Sequence, residues 1–147
     1  VRIAVLNGPN LNLLGLREPE VYGTDTLADV ERAVRERAAA ARVDLSWFQT
    51  NSEGELVDHV QALRGAADGA LINAAAFTHT SWAVRDAVLA VRVPFVEVHL
   101  SNVFAREPAR RHSLLADLAV GMVAGFGSRS YLLAFDALVA HLRPRAD

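Results

Sequence analysis

Glu97, His99 and Ser101 recur at every second position in the run Pro94 to Leu100 and just past it, while Val96, Val98 and Leu100 take the positions between. Side chains alternate faces along a strand, so this spacing lines up a carboxylate, an imidazole and a hydroxyl. A carboxylate beside an imidazole orients the ring and fixes which nitrogen carries the proton. That equips the strand for acid–base chemistry. A Glu–His pair that only satisfies itself in a core would have the same spacing; the added Ser and the strand-end position favour function. Ser101, two residues beyond the His on the same strand, is not a nucleophile-elbow arrangement.

Three other stretches carry polar residues at strand ends. Asn7 to Gly23 reads NGPNLNLLGLREPEVYG and follows the apolar run Ile3 to Leu6. Gly8 and Pro9 force a sharp turn there. About 15 residues then lie outside regular structure, a length that points to a functional loop or lid. Its polar members are Asn7, Asn10, Asn12, Arg17, Glu18 and Tyr22, so it reads as an active-site loop and a lid over 8–25. Asn102 to Arg111 holds Arg106, Arg110 and Arg111 just past the Glu–His strand, either as a solvated basic turn or as a site for an anion such as a carboxylate-bearing substrate. Asn73 to Ser81, NAAAFTHTS, ends another strand with Asn73. Within it His79 alone reads as an exposed loop residue, and Thr80 or Ser81 as an N-cap. Asp86, inside the next helix, reads as a solvated charge.

These stretches need a scaffold, and the chain alternates strand with helix. Strands are expected over Arg2 to Asn7, Val43 to Gln49, Gly69 to Ala74, Pro94 to Leu100 and Leu118 to Ala124. One helix starts at the Thr26/Asp29 cap pair and carries Leu27, Val30, Val34, Ala38 and Ala41 at helical spacing. Ser52 and Glu55 form a second capping box before Leu56, Val57, Val60 and Leu63. Further helices are expected over Ser81 to Val91 and Ser128 to Leu142, with a frayed tail over 143–147. The rhythm predicts an α/β, flavodoxin-like three-layer sandwich with a five-stranded parallel sheet, in a single catalytic domain over 1–147. Ligands of such sheets bind beyond the carboxyl ends of the strands, where the polar residues collect.

Composition narrows the class. The 147 residues suffice for one domain with its own core, and the net charge of −2 argues against a basic nucleic-acid-binding surface. No apolar run has the length of a membrane span, and the start does not read as a signal peptide. The absence of cysteine removes thiolate chemistry and fits a reducing compartment; the expected location is cytoplasmic. There is no P-loop and no GxGxxG, since Gly121, Gly125 and Gly127 have the wrong spacing. No His, Asp and Glu group has metal-ligand spacing. His59, His112 and His141 fall at helical or surface positions.

The phrases LNGPNLNLLGLREPEVYG, INAAAFTHTS, EVHLSNVFAREPARRHS and GFGSRSYLLAFDAL resemble the type II 3-dehydroquinate dehydratases, small lyases of the shikimate pathway. The similarity runs from Ile3 to Leu142. One departure is Asn73-Ala74-Ala75, where that family commonly has Asn-Pro-Gly. The resemblance implies a flavodoxin-like domain assembled as a dodecamer, a tetramer of trimers. It implies dehydration of 3-dehydroquinate to 3-dehydroshikimate with no metal and no organic cofactor. Tyr22 would then be the base, with its pKa lowered by Arg17 and supported by Arg106. His99 would protonate the leaving hydroxyl, and Glu97 would orient His99. Asn10 would hold the network that stabilises the enolate. Ser101 and the amides of Leu100 and Ser101 would take the substrate carboxylate. Asn73, His79 and Arg110 would hold ring hydroxyls, and Asp86 would contribute from a neighbouring subunit.

The implied chemistry is sound on general grounds. An unperturbed tyrosine has a pKa of about 10, too high for a resting base at neutral pH. A guanidinium close to it favours the phenolate. A rival reading from another class is a flavin-binding or phosphate-receiving module on the same fold, since fold does not fix function. A receiver needs an acidic cluster with a phosphorylatable Asp at the strand ends, which here carry Asn, Glu, His and Ser; a flavodoxin needs a Ser/Thr-rich phosphate loop with aromatic flanks, which NGPNLNLLG does not supply.

Overall fold

In the computed structural model the residues described are 1–16, 18, 20 and 23–143. Ile3 to Leu6 are apolar without a break, as a strand covered on both faces must be. This is β1 (Arg2–Asn7), which pairs in parallel with β2 (Asp44–Gln49) on one side and β3 (Gly69–Asn73) on the other. β4 (Phe95–His99) and β5 (Gly121–Ala124) extend the sheet, giving the parallel order β2-β1-β3-β4-β5. This is the flavodoxin-like order, with its switch point where β1 meets β3.

Alternate side chains of the inner strands feed two cores. Ile3, Val5, Leu71, Val96 and Val98 pack under α1 (Leu27–Ala40) and α5 (Arg129–Leu142), which supply Val30, Val34, Tyr131, Phe135 and Leu138. Ala4, Leu6, Ala70, Ile72 and Phe95 pack on the opposite face under α2 (Glu53–Ala62) and α4 (Trp82–Val91), which supply Leu56, Val60, Val84 and Val88. Each fully buried Leu, Val or Phe contributes ~1.5–3 kcal/mol relative to exposure. The three expected layers are present.

Local expectations meet the structure in detail. Thr26 and Asp29 form the full capping box. The second box is only half made. Ser52 Oγ accepts from the Glu55 amide at 3.2 Å, but the Glu55 carboxylate takes the Thr50 hydroxyl instead, and the Ser52 amide also turns to that hydroxyl. The fifth strand starts at Gly121 rather than at Leu118, whose amide closes a turn onto Leu115. A single helical turn, α3 (Phe77–Thr80), precedes α4, and Ser81 caps α4 by accepting from the Val84 amide at 3.0 Å. Arg143, the first residue of the expected tail, donates to the carbonyls of Ala41 and Arg42; 144–147 lie outside the described residues.

Candidate active site

Glu97 is fully buried on β4, on the face it shares with its register partner Ile72. One turn of the pleat later, His99 is 5% exposed, and its Nε2 lies 2.8 Å from Glu97 Oε1. The strand spacing thus yields the expected dyad. Glu97 Oε1 also accepts from the Ser113 hydroxyl at 2.6 Å, while Oε2 has no partner among the described residues.

His99 opens onto a cavity of about 110 Å³ beyond the carboxyl ends of β1, β3 and β4. Asn10, Asn73, His79, His99, Leu100, Ser101, Arg106 and Arg110 all line it. Residues spread over a hundred positions of sequence therefore meet in one place. Arg111 points its guanidinium elsewhere, donating to the Arg106 carbonyl at 2.6 Å. Arg110 is paired with Glu107. The cavity joins two guanidinium groups, two imidazoles and amide side chains, a set suited to a small polyhydroxylated anion.

The first turn of the loop is built by close backbone contact. The Gly8 amide donates to the Asn73 carbonyl at 2.8 Å, and a Cβ at Gly8 would lie 2.4 Å from the Ala74 carbonyl oxygen. Only glycine permits β1 and β3 to exit this close together. Asn10 follows in the left-handed region, φ 66°, where Asn is tolerated better than most residues. Its amide donates to Asn51 Oδ1 at 3.0 Å, and Gln49 Nε2 braces the same oxygen and the Gly8 carbonyl. The loop is not wholly irregular. Leu11–Leu13 form a 3-10 turn, and Leu11 and Leu14 sink into the first core. Arg17, Pro19, Val21 and Tyr22 lie outside the described residues.

His79 is half-buried and specific in its tautomer. Its Nδ1 is 2.7 Å from the His112 carbonyl oxygen, which can only accept, so Nδ1 carries hydrogen. Burial pushes this imidazole below its ordinary range; the His112 carbonyl opposes the shift, and the nearby His99, Arg110 and His112 add to it. A neutral His79 would present Nε2 to a ligand as an acceptor.

A family model for "Dehydroquinase class II" matches residues 1–139. The chain belongs to the class II dehydroquinase family. It is 59% identical to the 3-dehydroquinate dehydratase of Synechococcus sp. (strain WH7803) over 143 residues, 97% of each chain. Identity to the 3-dehydroquinate dehydratase of Jannaschia sp. (strain CCS1) is 56%, again over 97% of both. The crystal structure of the type II dehydroquinase from Butyrivibrio crossotus DSM 2876 superposes with a TM-score of 0.92 at 36% identity, covering 95% of this chain and 97% of that one. The type II dehydroquinase from Propionibacterium acnes gives 0.90 at 37% identity, covering 95% and 96%.

In this class II dehydroquinase family member, Asp86 stands apart from the cavity. It is exposed on α4 together with Trp82 and Leu89, which are 64% and 47% exposed. Asn7, grouped with the loop residues in sequence, turns out to be structural: it is fully buried and accepts from the Tyr131 hydroxyl at 2.6 Å. Asn51, which follows the second strand in sequence, does reach the site by bracing Asn10, whereas sequence reasoning missed Gln49, the His112 carbonyl and Ser113. The only signal for Ser113 was its place at the end of the motif EVHLSNVFAREPARRHS, and nothing in that spacing points it at Glu97.

Where the family commonly has Asn-Pro-Gly, the Ala75 backbone keeps a left-handed φ of 50°, and its amide bonds to Asn73 Oδ1 at 3.1 Å. The turn geometry is thus that of a glycine position occupied by alanine. Among the described residues no group of three or more His, Cys, Asp or Glu side chains could hold a metal, and no helix is long and apolar enough to cross a membrane.

Proposed function

We propose that the chain dehydrates 3-dehydroquinate to 3-dehydroshikimate, serving the shikimate pathway in the cytoplasm without metal or organic cofactor. The observation that carries this reading is the buried Glu97–His99 pair at the wall of a cavity lined by Asn10, Asn73, Ser101, Arg106 and Arg110. Membership of the family and the names of relatives above 50% identity support the substrate.

The reaction divides into two steps. The Tyr22 phenolate removes the C2 proton of the substrate, and the electron pair moves onto the ketone oxygen to give an enolate. Asn10, at the first turn of the loop, supports the polar network around that oxygen. The enolate then collapses, the C1–O bond breaks, and the His99 proton goes to the departing hydroxyl, which leaves as water. Glu97 keeps His99 oriented and balances its positive charge. Arg17 lowers the Tyr22 pKa, with Arg106 in support.

Substrate placement follows the same reading. Ser101 and the amides of Leu100 and Ser101 take the carboxylate, while Asn73, His79 and Arg110 take the ring hydroxyls. Of the lid expected over 8–25, Gly8 to Leu14 are held by Asn73 and the first core, and the part beyond Leu14 closes over the site, expelling water and strengthening the electrostatics inside. Asp86 enters a neighbouring subunit's site in a dodecamer built as a tetramer of trimers. The exposed Trp82 and Leu89 around Asp86 support burial of that face in an assembly.

The direct test follows product enone absorbance with 3-dehydroquinate, with and without a chelator. Turnover that survives chelation is expected. No enone formation by folded protein would overturn the assignment.

A further inference from the structure

We propose that Ser113 is a positioning residue for the reaction: its hydroxyl holds Glu97 as a carboxylate and so fixes the tautomer of His99. The inference rests on the acid role given to His99 above.

A serine hydroxyl has one hydrogen and two acceptor positions. The Ser113 oxygen accepts from the amides of Leu115 and Ala116, both at 3.0 Å. Its acceptor capacity is filled by backbone, so its hydrogen goes to Glu97 Oε1 at 2.6 Å. That oxygen also faces His99 Nε2 at 2.8 Å. A proton on Oε2 would be buried without a partner among the described residues. A proton on Oε1 could go only to Nε2, because the Ser113 oxygen has no room to accept it. With Glu97 ionised, the Ser113 hydroxyl and Nε2–H both donate to Oε1, and no buried hydrogen is left without an acceptor; Oε2 alone stays without a partner among the described residues. Nδ1 is then the nitrogen that exchanges a proton with a ligand.

Ser113 is itself held from both sides. The next residue, Leu114, donates its amide to the Thr78 carbonyl at 2.9 Å and accepts from Arg85 Nη1 at 2.7 Å. Arg85 is clamped in turn by Asp117. Leu115 is buried in the second core. The hydroxyl is thus fixed relative to β4 before any ligand arrives, which is what pre-organisation of a proton donor requires.

The test compares Ser113→Ala and Ser113→Thr with the unaltered protein. It reads kcat and KM for 3-dehydroquinate, and the ring-nitrogen signals of His99 in protein made with 15N-labelled histidine. A hydrogen bond to a charged group is worth about tenfold to hundredfold in rate when it matters to the transition state. Ser113→Ala should lose at least about tenfold in kcat with KM little changed, and its His99 should shift away from the Nε2–H form. Ser113→Thr, which keeps the hydroxyl, should restore both. If Ser113→Ala does not fold, Ser113→Cys, with its weaker donor, reads the same two quantities. Unchanged kcat and unchanged His99 signals, with only a lower melting temperature, would make Ser113 a turn cap and overturn the proposal. His99→Ala keeps the two ideas apart. Full turnover there would remove the acid role, whereas the His99 signals in Ser113→Ala still read whether Ser113 sets the tautomer.

Discussion

The Tyr131 hydroxyl donates to Asn7 Oδ1 at 2.6 Å, joining the last helix to the end of the first strand across 124 positions of sequence. It also accepts from Asn73 Nδ2 at 2.9 Å. Burial raises the Tyr131 pKa far above the usual phenol range, so it is a permanent hydrogen-bond donor at all working pH values. One buried phenol thereby fixes the two asparagines that end β1 and β3. Tyr131→Phe would leave both with an unmet group, at about 1–3 kcal/mol for each buried group left unsatisfied. Urea unfolding should show that loss of stability, and an unchanged midpoint would mean that the network relaxes without cost.

Ala75 offers the opposite kind of change. An L-residue in the left-handed region costs roughly 1–2 kcal/mol, while glycine carries an entropy penalty of about half that. Ala75→Gly should therefore stabilise the protein by about 0.5–1 kcal/mol, measured by the same unfolding experiment. A decrease would show that the Ala75 methyl, which packs against the first core, contributes more than its strain costs.

His79 predicts an acid-side effect on stability. Its folded pKa lies below the ordinary 6.5, so between the two values the unfolded chain binds more protons than the native one. The stability it contributes is complete above about pH 6.5 and is lost as pH falls through the folded value. Asp29, Asp68, Glu107 and Asp117, whose pKa values are also lowered, act the same way further down, below the ordinary carboxylate range. His79→Asn should flatten the stability curve between pH 6.5 and the native His79 value while leaving the steeper fall at lower pH intact. A curve parallel to that of the unaltered protein throughout would show that His79 titrates alike in both states.

Tyr22 and Arg17 predict a kinetic signature. Tyr22→Phe removes one oxygen, so the fold should persist while turnover drops ~10²–10⁴-fold. Arg17→Ala should slow turnover and move the acid-side, ascending limb of the pH–rate profile to higher pH, as the phenol regains a higher pKa. Arg17→Lys should recover only part of the loss, because an ammonium lacks the planar, multidentate contacts of a guanidinium. Wild-type turnover in folded Tyr22→Phe would place the base elsewhere.

Asp86 predicts complementation between subunits. Asp86→Ala and His99→Ala should each be weakly active alone. Mixed and reassembled, they should regain activity, since a site can then combine His99 from one subunit with Asp86 from another. Failure to recover in verified mixed oligomers would return Asp86 to its own subunit's site or to the solvent.

The sequence by itself determined the alternation of strand and helix, the two-sided apolar strands and the Glu97–His99 row. Each follows from periods of two or 3.6 residues, which are local and survive in a linear string. The long motifs also carried the family. Tertiary structure decided what those periods cannot reach. It joined Asn10, Asn73, His79, His99 and Arg110 at one cavity, because strand order brings together ends that are far apart in the chain. It withdrew Asn7 from the loop and gave it to Tyr131, and it paired Ser113 with Glu97. It also sent the Glu55 carboxylate to Thr50 rather than to its expected cap. Hydrogen bonds between distant residues depend on where the backbone places both partners, and one-dimensional spacing holds that information only for neighbours.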